Sequence, residues 1–144
     1  MISTRGRYAL RLMVDLAEHQ SEDFVSLKDI AARQDISKKY LEQIIPVLNR
    51  AGFLQTLRGT SGGYKLRRAP KDYTVGEILR ATEGNLAPVA CLESDTNSCP
   101  RAAECVTLSV WKGLQKTVNA YLDGITLEDI LSQKNYLDGA SYSI

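Results

Sequence analysis

The chain has 144 residues, 44% hydrophobic and 24% charged, which makes one domain, or a small domain with an appended helix, and supplies enough apolar material for a core. It has no apolar run of about 18 residues, which excludes a membrane-spanning helix, and Met1 to Arg11 holds Arg5, Arg7 and Arg11 without an apolar signal core, so we expect a mature cytoplasmic protein. The net charge of +1 hides an asymmetry: residues 1–71 hold 13 Lys/Arg against 7 Asp/Glu and residues 72–144 hold 5 against 10, giving halves of +6 and −5. Unless this is chance scatter of solvated charge, only the first half is suited to meet a polyanion.

In chain order, Ala9, Leu12, Met13, Leu16 and Ala17 recur on one helical face and predict a first helix from Thr4 to about His19. Ser26 and Asp29 form a capping pair that opens a second helix, ending near Gln34. Asp35-Ile36-Ser37 is a tight turn, and Ser37 caps a third helix from Lys38 to about Arg50, with Tyr40, Leu41, Ile44, Val47 and Leu48 apolar and Gly52 as its stop. Pro46 should bend its last turn. Phe53 to Arg58 and Tyr64 to Arg67 read as the strands of a hairpin around Gly59-Thr60-Ser61-Gly62-Gly63. Thr74 and Glu77 start a short helix to about Thr82, and residues 84–104 are irregular. A long helix is expected from about Glu104 to Leu122, with a three-then-four seam of Trp111, Leu114, Val118, Tyr121 and Ile125 suited to a partner helix. A short helix from Thr126 through Leu131 follows, and the last dozen residues lack periodicity and are expected to be mobile.

Two short capped helices joined by a three-residue turn, then a Gly-rich hairpin, describe a winged helix-turn-helix. The expected fold is therefore mainly α with a small β-hairpin wing and a long C-terminal dimerisation helix. Its units are a DNA-binding domain over 1–83, a cysteine-bearing loop over 84–104, dimerisation and following helices over 105–132, and a tail over 133–144. Ser37, Lys38, Lys39, Glu42 and Gln43 form the polar face that the second helix of the pair presents to a major groove. Lys38 and Lys39 suit phosphates or guanine edges, Gln43 suits adenine, and Glu42 can accept from cytosine or exclude wrong bases. Arg58, beside the glycine loop, suits a narrow minor groove. Lys28, Tyr40, Thr60, Ser61 and Lys65 complete the candidate set, and Arg67 and Arg68 could touch backbone. Taken singly, each of these charges is as easily a solvated surface group.

Cys91, Cys99 and Cys105 are the only cysteines, spaced Cys-x7-Cys-x5-Cys. An odd count argues against a closed disulfide framework, and clustered thiols in a reducing compartment are more often metal ligands or redox sensors than staples. On spacing alone an iron–sulfur cluster and zinc are evenly matched, with plain redox or structural thiols as the third option. Placing Cys105 at a helix start would favour its thiolate. An enzyme or electron carrier finds little support: there is no nucleotide-binding glycine motif after a strand, no Ser/His/Asp set, and His19 is the only histidine.

Several segments together resemble one family: Ser3-Thr4-Arg5-Gly6-Arg7-Tyr8-Ala9, Tyr40-Leu41-Glu42-Gln43, Arg58-Gly59 with Gly62-Gly63-Tyr64, Val75-Gly76-Glu77-Ile78, Cys105 ahead of Thr107 and Trp111, and Ile125-Thr126-Leu127. The chain resembles the Rrf-two family of bacterial winged-helix regulators to about Leu131, with likeness to both its IscR and CymR branches. The resemblance implies a homodimer built through the long helix, palindromic double-stranded operators, Glu42 and Gln43 as base readers, Arg58 as the wing arginine, and a cluster, expected to be [2Fe-2S], on the three cysteines. Lys39 departs from the small polar residue of the IscR branch, and Leu108 stands where that branch has a ligating His. Arg7 stands where the nitric-oxide-sensing branch has an acidic ligand. The fourth ligand is therefore open, with Glu93, Asp95, Glu104, Thr107, a partner-subunit group or a small exogenous thiol as candidates, and His19 more readily a surface residue. The expected function is a cytoplasmic, dimeric, non-enzymatic transcription repressor whose operator affinity follows the cluster. The alternative is a cluster-independent repressor of cysteine metabolism acting through thiol redox or a partner protein.

Overall fold

In a computed structural model, residues 2–20, 23–94, 96–97 and 99–141 are described, with side chains as far as Tyr136. Six α-helices and one hairpin follow in the order α1 (Thr4–Glu18), α2 (Leu27–Gln34), α3 (Lys38–Arg50), β1 (Leu54–Leu57), β2 (Gly63–Leu66), α4 (Val75–Glu83), α5 (Leu108–Asp123) and α6 (Leu127–Ser141). Side-chain caps set the helix starts. Ser3 accepts from the Gly6 amide, Ser26 from Asp29, Ser37 from Tyr40 and Thr74 from Glu77, each satisfying an amide that the first turn leaves without a partner. Thr126 and Asp129 cap one another reciprocally at the start of α6.

The predicted face of α1 is the centre of the molecule: Ala9, Leu12, Met13, Leu16 and Ala17 are all buried, and α1 packs against α2, α3, α4, α6 and β2. Leu41, Ile44 and Leu48 seat α3 in the same core, and Leu127 of α6 is fully buried there. α3 runs through Pro46 to Arg50. The proline lacks the N–H that would reach the Glu42 carbonyl, and the helix tolerates this on an exposed face.

The turn between α2 and α3 depends on Asp35, the only non-glycine residue with positive φ (53°) among those described. Ile36 turns inward and is buried. The hairpin is antiparallel, with Leu54 opposite Leu66 and Thr56 opposite Tyr64, and Val25 adds a bridge to Tyr64. Gly63 is required there, because a Cβ would collide with the Val25 carbonyl. Tyr73 locks the hairpin to the helical body. Its buried hydroxyl donates to the Phe53 carbonyl (2.7 Å) and accepts from the Arg67 and Arg68 amides (3.1 Å each).

Two boundaries differ from the sequence expectation. α5 starts at Leu108, four residues after Glu104, because the stretch from Cys99 to Thr107 forms successive turns. α6 continues to Ser141, taking in most of the segment expected to lack structure. Its first half is anchored by Leu127, Ile130 and Leu131 and by a Lys134–Glu18 ion pair of 2.8 Å, so burial rather than periodicity sustains it.

Candidate nucleic-acid interface and thiol site

A cleft of about 720 Å³ opens between the start of α2, the outer face of α3 and the hairpin. It brings together Lys28, Lys38, Glu42, Arg58 and Thr60 from the predicted set. Lys28 comes from the first turn of α2, the next two from α3, and the last two from the wing. It also recruits Asn49, Thr56 and Tyr64, which the sequence reading passed over. Asn49 follows Lys38 and Glu42 at helical spacing, so the same face could have been extended to it. Thr56 and Tyr64 become neighbours only through the hairpin register. Ser37, Lys39, Gln43 and Ser61 are exposed beside the cleft rather than lining it.

Other predicted contacts go elsewhere. Tyr40 is half-buried, edge-on to Tyr8 at 5.3 Å between ring centroids. Lys65 lies on the opposite hairpin face from Thr56 and Tyr64, with its ammonium 5.8 Å from the Phe24 ring centroid. Arg67 donates to the Leu54 carbonyl (2.8 Å). Arg68 pairs with Glu77 (2.8 Å) and stacks on Tyr73 at 4.2 Å, and that carboxylate holds its guanidinium above the usual arginine range. Arg67 thus closes the open end of the hairpin, and Arg68 fastens the wing to α4.

The helix pair is held by a polar cluster invisible in the pattern. Asp15, 1% exposed on the core side of α1, receives a forked pair from Arg33 (2.7 and 3.0 Å) and a bond from Gln34 (2.9 Å). Arg11 donates to the Gln34 side chain and main-chain carbonyl. α1 thereby grips the last turn of α2. His19 is spent locally, with Nδ1 2.8 Å from the Asp15 carbonyl.

All three cysteines are free, Cys91 and Cys99 half-buried and Cys105 exposed. Cys91 lies in the 3₁₀ turn Ala90–Leu92, and the Cys99 amide bonds Asn97 Oδ1 at 2.9 Å. Cys105 precedes the N-cap Thr107 by two residues, so it sits ahead of α5 rather than at its start. Its Sγ is 3.5 Å from the Thr107 hydroxyl. That hydroxyl and then the Thr107 amide, with smaller help from the Leu108 amide and Arg101, lower the thiol below its ordinary range. Among the described residues no three His, Cys, Asp or Glu side chains converge to hold a metal ion. The donor set nevertheless fits a thiophilic cluster in its chemistry: three free thiols within one segment, one of them biased toward thiolate. Of the suggested fourth ligands, Thr107 touches a cysteine, Glu93 and Glu104 are exposed, and Asp95 lies outside the described residues, while Leu108, which stands where the IscR branch has its His, opens α5 half-buried.

A family model described as Rrf2, iron-dependent transcriptional regulator, matches residues 2–133. The chain belongs to the Rrf2 family. Protein rrf2 of Nitratidesulfovibrio vulgaris is 42% identical over 130 residues, covering 90% of this chain and 86% of that one. Among solved structures, CymR of B. subtilis, described as its global cysteine regulator, superposes with a TM-score of 0.76 at 37% identity, over 92% of this chain and 97% of that one. IscR of T. potens superposes with a TM-score of 0.73 at 42% identity, over 93% and 88%. The Rrf2 family comprises transcriptional regulators, not enzymes, and the winged helix described above is its fold. None of the described helices is long and apolar enough to cross a membrane.

Proposed function

We propose that this DNA-binding regulator is a homodimeric, cytoplasmic repressor of palindromic operators, whose affinity is set by an iron–sulfur cluster of the [2Fe-2S] type on Cys91, Cys99 and Cys105. The observation that carries the reading is the presence of three free thiols on the segment leading into α5. When bound, a cluster would supply an oxidant-labile cross-link among them. The protein's own part is positional: the Thr107 hydroxyl and amide bias Cys105 toward thiolate, and the turn at Ala90–Leu92 holds Cys91 beside α5.

In the cleft, Lys38 and Glu42 face base edges and Arg58 reaches from the wing, while Lys28 meets phosphate. Dimerisation is supported by α5. Trp111, Leu114 and Tyr121 are 36%, 41% and 68% exposed, Val118 is half-buried, and no residue of the helix is buried. A sixteen-residue helix so placed gains little within its own protomer, and a second copy laid along the Trp111 seam would cover it.

A second reading draws on Leu108, which cannot ligate, and on the likeness to CymR over 97% of that chain. Under it the thiols act by redox change or through a partner protein, without a cluster. Anaerobic purification decides between them, using a visible spectrum with iron and acid-labile sulfide analysis on wild type and Cys91→Ala. A brown wild type whose chromophore disappears in the variant supports the cluster, and a colourless, iron-free protein overturns it in favour of the second reading.

A further inference from the structure

α5 has two working faces. Trp111, Leu114 and Tyr121 point outward, whereas Gln115, Asn119 and Asp123, spaced by four, tie the helix to its own protomer. Gln115 Nε2 donates to the Leu92 carbonyl (3.2 Å), one residue after Cys91. Arg80 of α4 donates from Nη1 to Asp123 Oδ1 (2.7 Å) and from Nη2 to Asp123 Oδ2 and Asn119 Oδ1 (3.0 Å each). Gly76 is shaped to this joint: a Cβ there would collide with the Asp123 carboxylate. Beyond Arg80 on the same helix, Glu83 accepts from the amide (2.9 Å) and hydroxyl (2.7 Å) of Ser3, the N-cap of α1. Tyr8 of α1 in turn abuts Tyr40 of α3. A cleft of about 450 Å³, lined by Arg80, Leu92, Glu93, Lys112, Gln115 and Asn119, lies where α4, α5 and the cysteine segment meet, leaving room for that segment and α5 to shift.

We propose that Arg80 is the positioning residue that carries a rearrangement of the cysteine segment into the DNA-binding half. This rests on reading the three thiols as the switch. The fork holds α5 at two points a helical turn apart, so it fixes rotation as well as distance. α5 has no buried residue of its own, and its other hold on α4 lies at its C-terminal end, where half-buried Leu122 packs on Val75, Leu79 and Leu86. A pull on Leu92 therefore turns the helix about that end and the guanidinium passes the turn to α4, and from there to α1 and α3. An exposed ion pair of this kind adds little to stability, which makes it a candidate for coupling rather than for holding the fold.

The test uses the full chain as wild type, Arg80→Gln, Asp123→Asn and the double variant. Each is measured apo and after anaerobic reconstitution with ferrous iron and sulfide. Binding is followed by fluorescence anisotropy on a duplex that wild type selects from a random pool. Loading is read from iron, sulfide and absorbance, and folding from thermal melting; should Arg80→Gln melt early, Asp123→Asn stands in for it. A typical coupling makes the loaded-to-apo affinity ratio of wild type about 5- to 150-fold. Arg80→Gln is expected to bring that ratio within about twofold of one at unchanged loading and melting, with no further change in the double variant. A folded, loaded Arg80→Gln that keeps the wild-type ratio overturns the proposal. Failure of the cluster reading is separate: no variant then takes up iron or sulfide. In that case phenylarsine oxide, which bridges thiol pairs, replaces reconstitution and the same comparison decides. A wild type whose operator affinity responds to neither treatment also overturns the role, since no signal exists for Arg80 to carry.

Discussion

Single side chains close gaps that backbone pattern leaves open. The Tyr73 hydroxyl serves one carbonyl and two amides in the core. Tyr73→Phe is expected to cost about 1–3 kcal/mol, since a buried acceptor and two donors lose their partner. The check is a lower urea midpoint at unchanged slope. Cys105 gives a pH prediction. Its thiol is lowered chiefly by Thr107, so the thiolate persists to lower pH than in an ordinary cysteine. In a variant keeping only Cys105, Thr107→Val should move the pH profile of iodoacetamide alkylation upward. An unmoved profile would take the hydroxyl out of the account.

Among the elements, the wing and α3 act together because the hairpin register is pinned at both ends. Val25 bridges Tyr64 at one end, and Phe53 with Arg67 close the other. That register leaves Arg58 exposed at the cleft margin and turns Lys65 to the far face. Arg58→Ala is therefore expected to cost about 1–3 kcal/mol of operator binding and to relax preference at one flanking position. A selection from random duplexes that returns the wild-type sequence logo would contradict it. Helix caps were legible from Ser26, Ser37 and Thr74 alone, because an N-cap is a local event. The start of α5 was not legible, since turns between Cys99 and Thr107 compete with helix over residues whose local preferences do not separate the two.

The charge asymmetry of the whole molecule finds a structural counterpart: the cleft is built from the basic half and the exposed seam of α5 from the acidic half. Operator affinity should fall with salt at a log–log slope of about −0.9 per phosphate neutralised, and a flat titration would argue against a backbone-bound complex. Leu114→Glu puts a charge in the middle of the exposed seam. For the proposed dimer this should shift sedimentation to monomer and shallow that slope, because half of the phosphate contacts leave with the second wing. A variant that remains dimeric would move the interface away from α5.

Sequence by itself determined the elements, their order, the buried faces of α1 and α3, and the gathering of three cysteines on one segment. All of these depend on residue type and short spacing. Family membership was legible for the same reason, through turn glycines, caps and the recognition-helix residues. Tertiary structure decided which charges stay available. Arg67, Arg68, Arg33 and Arg11 are drawn into internal pairs while Lys38 and Arg58 remain exposed. It also decided that Asp15 is a core residue and that α6 runs to Ser141. Partners distant in the chain, such as Arg80 with Asp123 or Ser3 with Glu83, leave no periodic trace, because their pairing depends on how close the packed helices bring two backbones.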